Sequence, residues 1–333
     1  MAVLPLPIQS LPGATFGGLI ETSDAQVFVE SIEAAPGALP AALNDCGGLL
    51  VVKGLSGISA DAELLVRLSR LFGAEVEDYA KTGNDLNELH PETSQIIRIS
   101  NMPPMNFEPP AKPDPPHLPD GGLPMQFPHR RGWHTDQSFR RPPPDISLFY
   151  AHVPAPKGQG QTLYADGTGA YNALPADLKC VVENLHALHV APFKGYGEDE
   201  VAAGKPLMPL NNRDGPQPQP AVRIHPETGR KSLYLCECEQ LDWVNGPLID
   251  MQRGIHGDGA ELVYKLMTHF TADRFTYAHD WDTGDLVIYD NRCTIHSATW
   301  FDTKAHGRVM WRTTVWGNPG PLYEGEKRSW DVA

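Results

Sequence analysis

The stretch GWHTDQSF, residues 132–139, places His134 and Asp136 two positions apart. On an extended chain, residues i and i+2 project from the same face. One imidazole and one carboxylate on a single face supply two of the three side chains in the facial triad that binds non-haem Fe(II). The pair alone is weak evidence, because a hydrogen-bonded His–Asp pair on a half-exposed strand has the same spacing.

A third ligand has to come from a distant part of the chain, which contains 13 histidines. His296 is the strongest candidate, because it closely follows the apolar segment GDLVIYDNR, which has the composition of a buried strand. His225 precedes a turn in RIHPETGR and is typical of a surface or core-edge residue. His129 also remains a candidate for the site, because it lies shortly before the His134 motif. The residues alone leave both a metal site and a packed His–Asp pair open.

The segment GRVMWRTTVWG, residues 307–317, places Arg308 and Arg312 on one face of a predicted strand. Burying two guanidinium groups is costly unless anions meet them. The planar guanidinium fork matches a carboxylate with two parallel hydrogen bonds. This face is therefore a candidate anion pocket, and the alternative is an edge strand with two solvated arginines.

The 32 prolines and 31 glycines divide the chain into many short segments. The segments with the character of strands are residues 47–55, 95–100, 145–153, 161–166, 232–238, 274–281, 284–292 and 307–317. Helical patterns cover residues 61–73, 168–188 and 259–271. Short strands at near-regular spacing, with helices inserted between them, favour a mainly β fold, a sandwich or jelly roll with peripheral helices.

The proline-rich segment at residues 101–131 interrupts this pattern immediately before the His134 motif. So many prolines exclude regular structure. A loop of this length in a compact domain is usually functional or disordered. We therefore predict a single catalytic domain over residues 1–333, with residues 101–131 as an insertion or lid loop. A solvated excursion without a role is the alternative.

Composition excludes several classes of protein. The formal net charge of −14 argues against binding to nucleic acid or to an anionic membrane. The sequence contains neither a secretory signal nor a run of about 18 apolar residues. Its five cysteines are sparse and odd in number, which favours a reducing compartment over a disulfide framework. We expect a cytoplasmic protein, and the oligomeric state is left open, with a homo-oligomer among the alternatives.

Four separated blocks, WHTDQSF, GQGQTLYAD, GDLVIYDNRCTIH and GRVMWRTTV, resemble the TauD/TfdA family of Fe(II)- and 2-oxoglutarate-dependent dioxygenases. The blocks occur in the family's order, within residues 47–317. The stretches DNRCTIHSATWFD and FRRPPPDISLFYA are more similar to the aryloxyalkanoate-degrading branch than to the taurine branch. The proline-rich segment departs from both branches. The resemblance implies a double-stranded β-helix, which is a jelly roll with helices packed outside.

The resemblance also implies roles for individual residues. His134, Asp136 and His296 match the iron ligands. Arg308 matches the arginine that binds the distal carboxylate of 2-oxoglutarate, and Thr162 matches the threonine that hydrogen-bonds to the same group.

Three further residues are predicted to bind the substrate. Arg312 matches a position that holds an anionic group of the substrate in the family. Arg131 and His129, which lie next to the motif, are predicted to add positive charge at the same place.

The function implied is hydroxylation of a small organic anion, such as an aromatic or aryloxy carboxylate or a sulfonate, with Fe(II), 2-oxoglutarate and O2. If the attacked carbon carries a heteroatom, hydroxylation also cleaves that bond. One alternative is a biosynthetic hydroxylase or desaturase of an amino acid or a natural-product intermediate. An alternative of another class is a non-catalytic zinc-binding protein that uses Cys236 and Cys238, although no second Cys/His pair lies at zinc-site spacing.

Overall fold

The computed structural model describes residues 6–73, 75–82, 86–112, 132–211, 214–237 and 240–330. Its strands, in chain order, are β1 Gln9–Ser10, β2 Gly18–Glu21, β3 Leu49–Lys53, β4 Glu75–Val76, β5 Leu89–His90, β6 Thr93–Ser100, β7 Ile146–Val153, β8 Thr162–Asp166, β9 His186–His189, β10 Gln217–Pro220, β11 Val222–Ile224, β12 Lys231–Leu233, β13 Thr276–His279, β14 Leu286–Asp290, β15 Thr294–Ala298 and β16 Val309–Trp316. Its α-helices are α1 Ala25–Glu33, α2 Ala38–Asp45, α3 Glu63–Ser69, α4 Gly167–Asn172, α5 Ala176–Val182, α6 Glu198–Ala202 and α7 Asp258–Phe270.

The largest sheet is mixed and has nine strands. Eight follow the order β1-β2-β3-β14-β7-β16-β6-β5, and β4 pairs with β16 beside this path. The β2–β3 pair is parallel, and the other pairs are antiparallel. A smaller antiparallel sheet has the order β13-β8-β15. The strand-rich fold with peripheral helices that the sequence predicts is confirmed.

Both faces of the large sheet are covered, and β14 shows how. Leu286 and Ile288 point to one face, where they join the core formed with α1, α2 and α3. Val287 and Tyr289 point to the other face, where they pack with Tyr164 of the small sheet. A strand that is buried on both faces has a nearly continuous run of apolar residues. This is why the sequence predicts the strand at β14.

The outer face of the small sheet is covered by α4 and α7. The buried residues of α7 recur at helical spacing along one side, as in an amphipathic helix. They form one core with Leu163 of β8 and Ile295 of β15. The molecule is therefore layered as helices, large sheet, small sheet and helices, and the space between the two sheets is left for a site. Among the described residues, no helix combines the length and apolar character needed to cross a bilayer.

The helix predicted over residues 168–188 is wrong in its extent. The chain forms the two short helices α4 and α5, and then strand β9. Pro175 stands at the N-cap of α5. Proline has no backbone N–H and its ring clashes with the preceding helical turn, so it cannot lie inside a continuous helix.

The proline-rich segment is only partly covered by the structure. Residues 101–112 contain neither helix nor strand, as predicted. Residues 113–131 lie outside the described residues, so the lid loop stays a prediction.

Candidate metal and cosubstrate site

His134 and His296 are brought side by side by an isolated antiparallel bridge. The backbone N–H of His134 donates to the carbonyl oxygen of His296 at 2.9 Å, and the N–H of His296 donates back at 2.7 Å. Their ring centroids are 4.2 Å apart. The predicted extended conformation holds for His134 only, since a turn begins at Asp136.

The three predicted ligands converge, with one ligand atom from each lying within 4.8 Å of the others. Asp136 Oδ1 is 3.9 Å from His134 Nε2 and 3.8 Å from His296 Nε2. His134 Nδ1 lies 2.6 Å from the carbonyl oxygen of Gly132 and donates its hydrogen there, so Nε2 is the ring nitrogen on the side of the cluster. Burial lowers the pKa of His296 to about 3, which keeps this imidazole neutral and able to ligate.

The carboxylate of Asp136 is buried and ionised. Burial acts to raise its pKa, but the charge of Arg312 and the hydrogen bond from Ser147 hold the pKa well below its usual value. Arg312 Nη1 donates to Oδ1 at 2.5 Å. The hydroxyls of Ser147 and Tyr289 both donate to Oδ2, each at 2.7 Å.

Asn291 connects this cluster to the turn after β14. Its Oδ1 accepts from the backbone N–H of Asp136 at 3.1 Å and from the Thr135 hydroxyl at 3.1 Å. Its Nδ2 donates to Ser147 Oγ at 2.9 Å. The sequence reasoning assigned no role to Ser147, Tyr289 or Asn291. The only signal was that Tyr289 and Asn291 lie in the quoted block GDLVIYDNRCTIH.

Arg308 is a buried cation without a carboxylate partner in the part of the chain that the structure describes. Among the described residues, its Nη2 reaches only the carbonyl oxygen of Gly160, at 3.5 Å, and its Nε has no hydrogen-bond partner. Burial lowers its pKa to about 10, so the group remains protonated at neutral pH. A buried, uncompensated charge is unfavourable, and an anionic ligand would remove this penalty.

A cavity of about 290 Å³ joins Arg308 to the cluster of ligands. Its polar wall includes His134, His296, Thr162, Arg308 and Arg312. Its apolar wall includes Ile97, Ile99, Met105, Phe107 and Phe149. The residues present therefore fit a divalent metal next to an anionic ligand.

The remaining predicted site residues have different outcomes. Thr162 lines the cavity, and its hydroxyl oxygen accepts from Trp281 Nε1 at 3.1 Å. Arg308 and Arg312 share a face as predicted, but one arm of Arg312 is already used by Asp136. Arg131 and His129 lie outside the described residues, so their roles stay predictions.

A second cluster of ligand-type side chains, His225, Asp290 and Cys293, does not fit a cation. Arg292 donates to both oxygens of Asp290, at 2.9 and 2.7 Å, and His225 Nε2 lies 2.9 Å from Asp290 Oδ2. A metal ion would have to displace the buried guanidinium.

The positions of the cysteines do not support the alternative of a zinc-binding protein. Cys236 belongs to neither of the clusters found among the described residues. Burial raises the pKa of its thiol to about 11, which disfavours the thiolate that zinc requires. Cys238 lies outside the described residues.

The class of protein follows from a comparison with known families. A family model described as taurine catabolism dioxygenase TauD, TfdA family matches residues 21–314. The chain therefore belongs to the TauD/TfdA family, and the resemblance seen in its sequence blocks is confirmed.

The chain is also similar to individual proteins of known activity or structure. The (S)-phenoxypropionate/alpha-ketoglutarate-dioxygenase of Sphingobium herbicidovorans is 36% identical over 193 residues, which cover 56% of this chain and 63% of that protein. Pentalenolactone F synthase of Streptomyces avermitilis is 25% identical over 338 residues, which cover 96% of this chain and 98% of that protein. The crystal structure of AAD-2 in complex with Mn(II) and N-oxalylglycine has a TM-score of 0.68 and 25% sequence identity, covering 95% of this chain and 99% of that one.

Proposed function

We propose that the chain is an Fe(II)- and 2-oxoglutarate-dependent dioxygenase that oxidises a small organic anion. The observation that carries this proposal is Arg308, which has no carboxylate partner among the described residues and lines the same cavity as His134 and His296. Asp136 completes the ligand cluster with these two histidines. The crystal structure of AAD-2, which contains a divalent metal and N-oxalylglycine, supports it from outside the chain.

Each residue of the site has a task in this proposal. His134, Asp136 and His296 would hold the iron, and Arg308 with Thr162 would hold the distal carboxylate of 2-oxoglutarate. When bound, iron together with 2-oxoglutarate and O2 supplies the oxidising power for attack on a substrate C–H bond. Asp136, His296, Arg308 and Thr162 are buried. The low exposure of these four side chains limits the access of water, which strengthens their electrostatic contacts with the bound anions.

The two sheets are proposed to be the halves of a double-stranded β-helix, with the site between them. The packing of Tyr164 from the small sheet against Val287 and Tyr289 of the large sheet supports this arrangement. The single catalytic domain over residues 1–333 is part of the same proposal. A cytoplasmic location is proposed as well, supported by the free thiols of Cys46, Cys180, Cys236 and Cys293.

The substrate is proposed to combine an apolar, aromatic-sized body with one anionic group. The apolar wall of the cavity would hold the body, and Arg312 would hold the anion. The printed activity of the Sphingobium relative, on (S)-phenoxypropionate, has this chemistry. A biosynthetic oxidation is the second candidate, because pentalenolactone F synthase matches nearly the whole chain.

A panel of substrates tests the proposal. The purified protein with Fe(II) and 2-oxoglutarate should release succinate with phenoxyalkanoic acids and release little with their neutral amides. Alkyl sulfonates and apolar lactones extend the panel to the other candidates. Absence of succinate with every compound, while 2-oxoglutarate fails to bind, would contradict the proposal.

Phe107→Ala should raise the KM for an aryl carboxylate about fivefold, because part of the apolar wall is lost, at about 1 kcal/mol for a half-exposed phenyl ring. The KM for 2-oxoglutarate should stay the same. Phe193→Ala is the matched control, since Phe193 is 70% exposed and does not line the cavity. Equal effects of the two substitutions would remove Phe107 from the substrate wall.

Arg312→Lys should weaken the binding of the anionic substrate about tenfold, which corresponds to ~1.4 kcal/mol. Lysine keeps the charge but has no fork, so it cannot bind Asp136 with one arm and a second anion with the other. The affinity for 2-oxoglutarate should change little. Initial rates measured against each of the two compounds check this, and a selective loss of 2-oxoglutarate would reassign Arg312 to the cosubstrate.

A further inference from the structure

The carboxylate of Asp136 offers only one of its two oxygens to the ligand cluster. Oδ1 lies 3.9 and 3.8 Å from the Nε2 atoms of His134 and His296. Oδ2 accepts hydrogen bonds from the hydroxyls of Ser147 and Tyr289, each at 2.7 Å. An ionised carboxylate oxygen has about two lone-pair sites, so Oδ2 is fully occupied by these two donors.

The two hydroxyls are held in place by the large sheet. Ser147 of β7 and Tyr289 of β14 are direct cross-strand partners, so their side chains leave the sheet together on the same face. Both side chains are buried. The position of Oδ2 is therefore fixed by the register of two central strands.

The direction of each hydrogen bond is also fixed. Asn291 Nδ2 can only donate, so Ser147 Oγ accepts from it at 2.9 Å and turns its own hydrogen to Asp136. An ionised carboxylate can only accept, so Tyr289 donates as well. The order Asn291, Ser147, Asp136 is thus a directed chain that ends on the ligand.

We propose that Ser147 and Tyr289 are positioning residues that keep Oδ2 away from the metal and reserve Oδ1 as its single carboxylate ligand. This inference rests on the proposed function, because it assumes a metal held by His134, Asp136 and His296. A metal held by these three residues would then take one oxygen from Asp136 and keep its remaining positions open for other ligands. If Oδ2 were free, the carboxylate could bind through both oxygens and fill one of those positions.

Mn(II) binding to the full chain, without cosubstrate, tests the inference. Tyr289→Phe and Ser147→Ala should each lower the affinity for Mn(II) by about 10- to 100-fold, which is the range for loss of a residue that hydrogen-bonds to a metal ligand. The second readout is the enhancement of water-proton relaxation per bound Mn(II), which reports the number of water molecules on the ion. The double variant should lose part of this enhancement, because one of the open positions is filled.

Tyr150→Phe is the matched control. Tyr150 is also a buried tyrosine of β7, but its hydroxyl bonds to Ser59 Oγ and to the carbonyl oxygen of Leu55 on the other face of the sheet. It should leave the affinity for Mn(II) and the relaxation unchanged.

The outcomes distinguish a missing metal site from a missing role of Ser147 and Tyr289. A wild-type chain that does not bind Mn(II) would overturn the metal site and the inference with it. Normal wild-type binding, together with unchanged affinity in both single variants or unchanged relaxation in the double variant, would overturn the inference alone.

Discussion

Asp136→Ala should abolish metal binding, with a loss of affinity of roughly 100-fold or more, beyond the range for outer-shell partners. Two effects act together. The metal loses one of three protein ligands, and Arg312 loses the carboxylate that neutralises it at 2.5 Å. The site would then present two imidazoles and an unpaired guanidinium to a cation. Anaerobic titration with Fe(II) measures the change.

Asp285→Asn is the control for this prediction. Asp285 is a buried aspartate paired with His279, outside the cavity. Its substitution should lower stability without changing the affinity for Fe(II). Equal losses in the two variants would mean that general destabilisation, and not a missing ligand, explains the result.

Arg308→Met should raise the Kd of 2-oxoglutarate by about 10- to 150-fold, since a charged hydrogen-bond partner is worth about 1.5–3 kcal/mol. The ligand-free protein should at the same time become more stable, by about 1 kcal/mol or more. Methionine replaces a buried cation that has no carboxylate partner among the described residues, and removal of an uncompensated charge is favourable. Titration with 2-oxoglutarate and denaturant unfolding measure the two effects.

Arg308→Met is expected to weaken the binding of 2-oxoglutarate and to stabilise the ligand-free protein. These opposite effects together test whether Arg308 binds the cosubstrate. Arg308→Lys should restore part of the affinity, because it keeps the charge and loses the fork. If Arg308→Met instead destabilised the ligand-free protein and bound 2-oxoglutarate normally, Arg308 would have a structural role only.

Local patterns made much of this site predictable. The short spacing of His134 and Asp136 keeps the two side chains close, although a turn begins at Asp136. The period of two along the segment from Arg308 into β16 predicts that Arg308 and Arg312 point the same way. His296 was identified because the strand before it is buried on both faces. The family blocks then provided the roles, and their resemblance was confirmed by the family model.

The missed contacts are those that depend on strand register. Nothing in the sequence places Ser147 opposite Tyr289, because this pairing is decided by how β7 and β14 align. The bond between Arg312 and Asp136 joins residues 176 positions apart. The break of the predicted helix at Pro175 is different, because a proline that interrupts a helix is visible in the sequence itself.

The most direct test of the central claim is the visible absorption of the protein with Fe(II) and 2-oxoglutarate under anaerobic conditions. Chelation of 2-oxoglutarate to iron in sites of this kind produces a weak charge-transfer band. We predict that the wild-type chain develops this band only when both compounds are present, and that Asp136→Ala does not. A wild-type chain without the band, which binds Fe(II) no better than Asp136→Ala, would contradict the assignment of the site.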